Sequence, residues 1–147
     1  MVKNFGQLSS GETAHLYSLM TDMLRICVTD FGGTLVSVEV KDKSGKFVDI
    51  TLGYDDVAGY ENDNDCFGFN IGRNANRISN AQFTLNNIKY VLAKNDGENN
   101  LHSGPHLFSK RMWHVTEYRD DSIIFEIESL HLDQGFPGNA KFYIIYR

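Results

Sequence analysis

Two short segments concentrate the side chains suited to recognition chemistry. The first is Gly72-Arg73-Asn74-Ala75-Asn76-Arg77-Ile78, directly after the apolar run Phe67 to Ile71. Arginine donates through a rigid fork, and asparagine both donates and accepts. A loop carrying two of each suits a polyhydroxylated ligand. The competing reading is a solvated loop whose arginines pair with Asp63 or Asp65. The second segment is Asn99-Asn100-Leu101-His102-Ser103-Gly104-Pro105-His106. His102 precedes a Gly-Pro turn, and a neutral imidazole donates at one nitrogen and accepts at the other. Its competing reading is a solvated loop histidine. His102 and His106 have the i, i+4 spacing of a helical metal pair, but Gly104-Pro105 between them is incompatible with a helix.

Other catalytic signatures are missing. There is no Walker loop and no GxGxxG, and Ser103 sits in Leu-His-Ser-Gly-Pro rather than in a nucleophile elbow. His15, His114 and His131 read as structural or solvated. Asp96, Glu98 and the Asp63/Asp65 pair read as surface charges, and Trp113 reads as core. Cys27 and Cys66 have no nearby Cys or His, so neither a disulfide scaffold nor a zinc site is indicated.

The elements that must hold these segments show a period of two. Val48, Ile50 and Leu52 alternate with Phe47, Asp49 and Thr51, the pattern of a half-buried strand. The β-branched run Thr34 to Val40 precedes it across the turn Asp42-Lys43-Ser44-Gly45, which predicts a hairpin. Phe83 and Leu85, then Asn86-Asn87, then Ile88, Tyr90 and Leu92 predict a second, since Asn tolerates the positive φ of tight turns. A third pairs Trp113 to Tyr118 with Ile123 to Ser129 across Arg119–Ser122. Ala140 to Tyr146 forms the last strand, with Phe142, Ile144 and Tyr146 on one face. Helical signal is confined to Val57–Tyr60, which Asp55-Asp56 would cap. Closely spaced strands of this kind predict an all-β sandwich or barrel. The last strand runs straight into Arg147 with no closing turn, which predicts that partner strands are missing or come from another chain.

Composition sets the broad class. At 147 residues, 41% hydrophobic and 22% charged, the chain has the makings of one globular core and is not disordered. Nineteen acidic against 14 basic residues give a net charge of −5, which disfavours a nucleic-acid partner. No stretch approaches the roughly 18 apolar residues of a membrane span, and Met1–His15 lacks a signal-peptide core. These features predict a soluble, cytoplasmic protein with no membrane partner.

Taken in order, Gly72-Arg73-x-x-Asn76-Arg77-Ile78, Phe83-x-Leu85, Tyr90-x-Leu92, Asn99-x-Leu101-His102-x-Gly104, Phe108, Arg111 and Trp113 resemble the aldose 1-epimerase (galactose mutarotase) family. Asp30-Phe31-Gly32-Gly33-Thr34-Leu35 and Gly135-Phe136-Pro137-Gly138-Asn139 are similar to further family segments. The resemblance implies a large antiparallel β-sandwich, the galactose-mutarotase-like supersandwich. Residues 1–147 would be the N-terminal half of that single domain. It implies interconversion of the α and β anomers of free aldohexoses, galactose or glucose, in hexose metabolism, with no cofactor. A base takes the C1 hydroxyl proton, an acid protonates the ring oxygen, and the ring opens and recloses. By the same resemblance, Asn76, Arg77 and His102 are the substrate-binding residues. The family's acid is a histidine followed by proline and an aromatic, and its base is a late glutamate. Neither motif occurs here, so both are expected after Arg147, and the 147-residue chain alone is expected to be inactive. The alternative is a non-catalytic carbohydrate-binding module or a mutarotase-like paralogue.

Overall fold

A computed structural model describes residues 1–63 and 65–147. The first half is an antiparallel meander of five strands: β1 (Val2–Gln7), β2 (Thr13–Met20), β3 (Leu24–Thr29), β4 (Leu35–Lys41) and β5 (Phe47–Asp49), hydrogen-bonded in that order. A short helix, α1 (Val57–Asn62), follows, and the Asp56 carboxylate accepts the Gly59 N–H at its start. The Lys110 ammonium closes its other end, donating to the carbonyls of Tyr60, Glu61 and Asp63 at 2.6, 3.1 and 2.8 Å. Two small ladders come next. One pairs β6 (Arg77–Ile78) with the later β9 (Asn100–Leu101); the other pairs β7 (Gln82–Leu85) with β8 (Ile88–Val91). A three-stranded antiparallel sheet ends the chain: β10 (His114–Tyr118), β11 (Ile123–Ser129) and β12 (Ala140–Tyr146).

Three apolar clusters hold these pieces. Phe5, Ala14, Leu16, Phe31, Val36, Val57 and Tyr60 pack one face of the five-stranded sheet with α1. Leu19, Val28, Phe108, Trp113, Ile123, Phe125 and Ile127 fill the layer between the two large sheets, with Tyr17, Phe142, Ile144 and Tyr146 at its margin. Ala81, Leu92 and Phe136 anchor the β7–β8 hairpin. Val28, Ile123 and Phe125 are completely buried. The strand β2 sends Leu16 to the first cluster and Leu19 to the second, so both faces of the sheet are covered there.

The β3–β4 turn joins the sheets. Gly32 has φ +75°, and a Cβ there would stand 2.4 Å from the Ser109 carbonyl oxygen, so a side chain is excluded. The Gly32 N–H donates to Arg111 O at 2.8 Å and Trp113 N–H donates to Asp30 O at 2.8 Å. The buried Asp30 carboxylate accepts from the His15 N–H at 2.7 Å, contacts His15 Nδ1 at 3.0 Å and accepts from the Tyr17 hydroxyl at 3.3 Å. Burial, then the neighbouring Asp30 carboxylate, pushes the Tyr17 phenol up to about 12.

The hairpins at 34–52, 83–92 and 113–129 form as the alternation predicts, and Asn86 and Asn87 adopt φ of 50° and 63° in the tight turn. One expectation needs correction. The Val48, Ile50 and Leu52 face is not half-buried: these side chains are 44, 63 and 72% exposed. The strand stops at Asp49 because Asp49 Oδ1 and Thr51 Oγ1 capture the Val38 N–H at 3.1 and 3.2 Å. The apolar run Phe67 to Ile71 is no strand; Phe69 packs on the first cluster, and Gly68, at φ +65°, presents its carbonyl to Leu35 N–H. The strands β1 to β3 carry no clean alternation, because β2 and β3 lie between two apolar layers.

Candidate functional site

The ladder β6–β9 brings the two polar segments together. Arg77 pairs with Leu101 and Ile78 with Asn100. One step beyond, the pairing continues through a side chain: His102 N–H donates to Asn76 O at 3.0 Å, and Asn76 N–H donates to His102 Nδ1 at 3.0 Å. Asn76, His102 and Ser103 have φ of 65°, 55° and 58°, so this corner turns through left-handed backbone. The buried Ser103 hydroxyl stitches it, accepting from Asn74 N–H at 2.8 Å and donating to Asn74 O at 3.0 Å. The Asn95 amide binds both backbone groups of Leu101, at 2.7 and 2.9 Å.

The three residues singled out from the sequence, Asn76, Arg77 and His102, thus meet at one exposed corner. Because His102 Nδ1 accepts a backbone N–H, its ring in this arrangement is the neutral tautomer with the proton on Nε2. That leaves Nε2–H as a donor. The Arg77 guanidinium is about half exposed and donates through Nε to Asp96 Oδ2 at 2.6 Å. Asn76 Oδ1 accepts the Arg77 N–H at 3.0 Å and lies 3.4 Å from Arg77 Nη1. The corner therefore presents oriented N–H donors, with its one hydrogen-bonded carboxylate, Asp96, engaged by Arg77 Nε, a set suited to hydroxyl oxygens.

Arg73, four residues earlier, does different work. It donates from Nε to Ser129 Oγ at 2.8 Å, from Nη1 to Pro137 O at 2.9 Å, and from Nη2 to the carbonyls of Ser129, Leu130 and Gly138. Burial pulls its pKa down; the Asp133 carboxylate opposes this and the Arg111 charge adds to it. Arg111 grips Asp133 bidentately at 2.8 and 2.9 Å and also donates to His106 O. The Arg111 hydrogen bonds hold the Asp133 carboxyl below its ordinary value. Among the described residues neither loop arginine pairs with Asp63 or Asp65; Arg77 pairs with Asp96, and Arg73 with the Ser129 hydroxyl and backbone carbonyls. Asp96 is correspondingly no idle surface charge. Sequence reading missed Asp96, Asp133 and Ser129, whose partnerships depend on long-range folding.

No group of three or more His, Cys, Asp or Glu side chains among the described residues is placed to hold a metal ion. Among the described residues no helix is long and apolar enough to cross a membrane.

The fold defines an antiparallel β-rich protein of the galactose-mutarotase-like sandwich class. The aldose 1-epimerase family pattern matches residues 15–147, and the chain belongs to that family. It is 36% identical over 143 residues to galactose mutarotase from Bos taurus, covering 97% of this chain and 42% of that protein. It is 34% identical over 122 residues to aldose 1-epimerase from Escherichia coli K12, covering 83% of this chain and 35% of that protein. The crystal structure of an aldose epimerase homologue from C. elegans superposes with a TM-score of 0.85 at 31% identity, covering 90% of this chain and 41% of that one. The chain thus spans less than half the length of the relatives it matches.

Proposed function

We propose that residues 1–147 form the sugar-holding half of a single mutarotase-like domain, in a cytoplasmic aldose 1-epimerase that interconverts the anomers of galactose or glucose. Asn76, Arg77 and His102 hold the free sugar. Arg77 N–H groups and His102 Nε2–H donate to sugar oxygens and stabilise the charge that develops as the ring C–O bond breaks. Proton transfer at the C1 hydroxyl and the ring oxygen belongs to a histidine and a glutamate carried beyond Arg147.

The observation that carries this reading is the juxtaposition of Asn76 and His102 across the β6–β9 ladder, with Nδ1 engaged and Nε2 left to donate. Polarimetry of freshly dissolved α-galactose tests it. The 147-residue chain should match buffer, since each missing proton-transfer group is worth about 10²–10⁴-fold. A longer chain with the family's remaining half should accelerate mutarotation, and Arg77→Ala should remove most of that rate. Catalysis by the 147-residue chain alone, lost on Arg77→Ala, would overturn the assignment of acid and base beyond Arg147.

A further inference from the structure

Among the described residues, Asp96 is the only carboxylate hydrogen-bonded to Asn76, Arg77 or His102. Its backbone is tethered on both sides. Asp96 and Asn99 exchange both backbone hydrogen bonds, at 3.2 and 3.0 Å, around a turn in which Gly97 takes φ +59°. Next to it, Asn95 ties the same loop to Leu101. A two-residue turn with paired backbone groups is a stiff mount. The Asp96 side chain is 33% exposed, so its carboxylate is better shielded than the guanidinium it meets, which is 54% exposed.

The choice of atom matters. Asp96 takes Nε, the inner nitrogen of the fork, at 2.6 Å. Asn76 Oδ1 lies near Nη1 at 3.4 Å, and Nη2 has no hydrogen-bond partner among the described residues. Holding an arginine by Nε fixes the plane of the guanidinium while leaving its Nη donors available. We propose that Asp96 is a positioning residue for Arg77, clamping Nε so that the Nη edge is presented to a sugar oxygen beside His102 Nε2. This deepens the sugar-binding reading above and rests on it.

The test uses the 147-residue chain labelled with ¹⁵N, with galactose as the probe. The Arg77 Nε–H signal should be resolved and slowly exchanging in wild type. Asp96→Ala should lose that protection, and Asp96→Asn should retain it, because an amide oxygen can also accept from Nε. Galactose titration should be about threefold weaker in Asp96→Ala and near wild type in Asp96→Asn. A general folding defect would disturb the Trp113 indole signal as well, and Asp96→Asn then carries the comparison. Equal galactose affinity in wild type and Asp96→Ala, or unchanged Nε–H exchange, overturns the positioning role while leaving the sugar site intact. No galactose-dependent shift at Arg77 or His102 in wild type overturns the sugar-binding reading and the role of Asp96 with it.

Discussion

Arg73 and Arg77 share one loop and have opposite surroundings. Arg73 is drawn inward, and its fork is spent on one hydroxyl and four carbonyls of the segment joining β11 to β12. Arg77 stays at the surface, with one carboxylate on Nε and donors to spare. A saturated, half-buried guanidinium serves architecture, because any ligand would have to displace bonds already made. An arginine held by one corner keeps its remaining donors available to a ligand. The Arg73 network also ties down the segment that leads into Arg77, so the bracing arginine supports the one with donors to spare.

Removing Arg73 should produce the largest effect. Arg73→Ala leaves the buried Ser129 without its guanidinium partner and Arg111 as the one cation beside Asp133, which should cost about 2 kcal/mol in urea denaturation. Arg73→Lys should recover only part of this, since an ammonium cannot reproduce the fork. A loss under about 1 kcal/mol for Arg73→Ala would erase the contrast between the two arginines.

Acid titration sharpens the same comparison. Asp133 has its folded pKa lowered by Arg111, with Ser129 and Arg73 assisting. Its ionised form contributes stability that is fully present above its unfolded pKa of about 3.9, and that drains away as pH falls through the lower folded value. Urea midpoints measured downward from neutral pH should show this acid limb, and Asp133→Asn should flatten it while lowering the neutral-pH plateau.

Arg77→Ala should do the reverse of Arg73→Ala. It should change stability by no more than about 0.5 kcal/mol while abolishing galactose-dependent NMR shifts at His102. Substantial unfolding in this variant would place Arg77 with the structural set. The smallest effect concerns charge. Asp96→Asn removes the anion that balances Arg77, so galactose 6-phosphate should gain about twofold in affinity relative to galactose at low salt. An unchanged ratio by titration calorimetry would mean that Asp96 acts through geometry alone.

Much of the fold was readable where local chemistry decided it. The Asn86-Asn87 turn, the Asp56 cap and the alternation of Phe142, Ile144 and Tyr146 each carry their cause within a few residues. The strands β2 and β3 were opaque because packing on both faces erases the alternation that a single buried face imposes. The Val48, Ile50 and Leu52 pattern misled for the converse reason: alternation promises a covered face, and no described element covers this one.

The candidate site divides in the same way. Asn76, Arg77 and His102 were singled out as candidates by residue type and ordered motif, before any folding, and the structure gathers them at one corner. Their partnerships were not. Arg77 meets Asp96 across 19 positions, Asn76 meets His102 across 26, and Arg73 meets Ser129 across 56. A hydrogen bond requires its atoms within about 3 Å and correctly aimed, and only the closed ladders and packed sheets deliver that geometry. Residue chemistry thus marked which side chains are able to act, while tertiary packing decided which arginine was consumed as a brace and which was left with donors to offer.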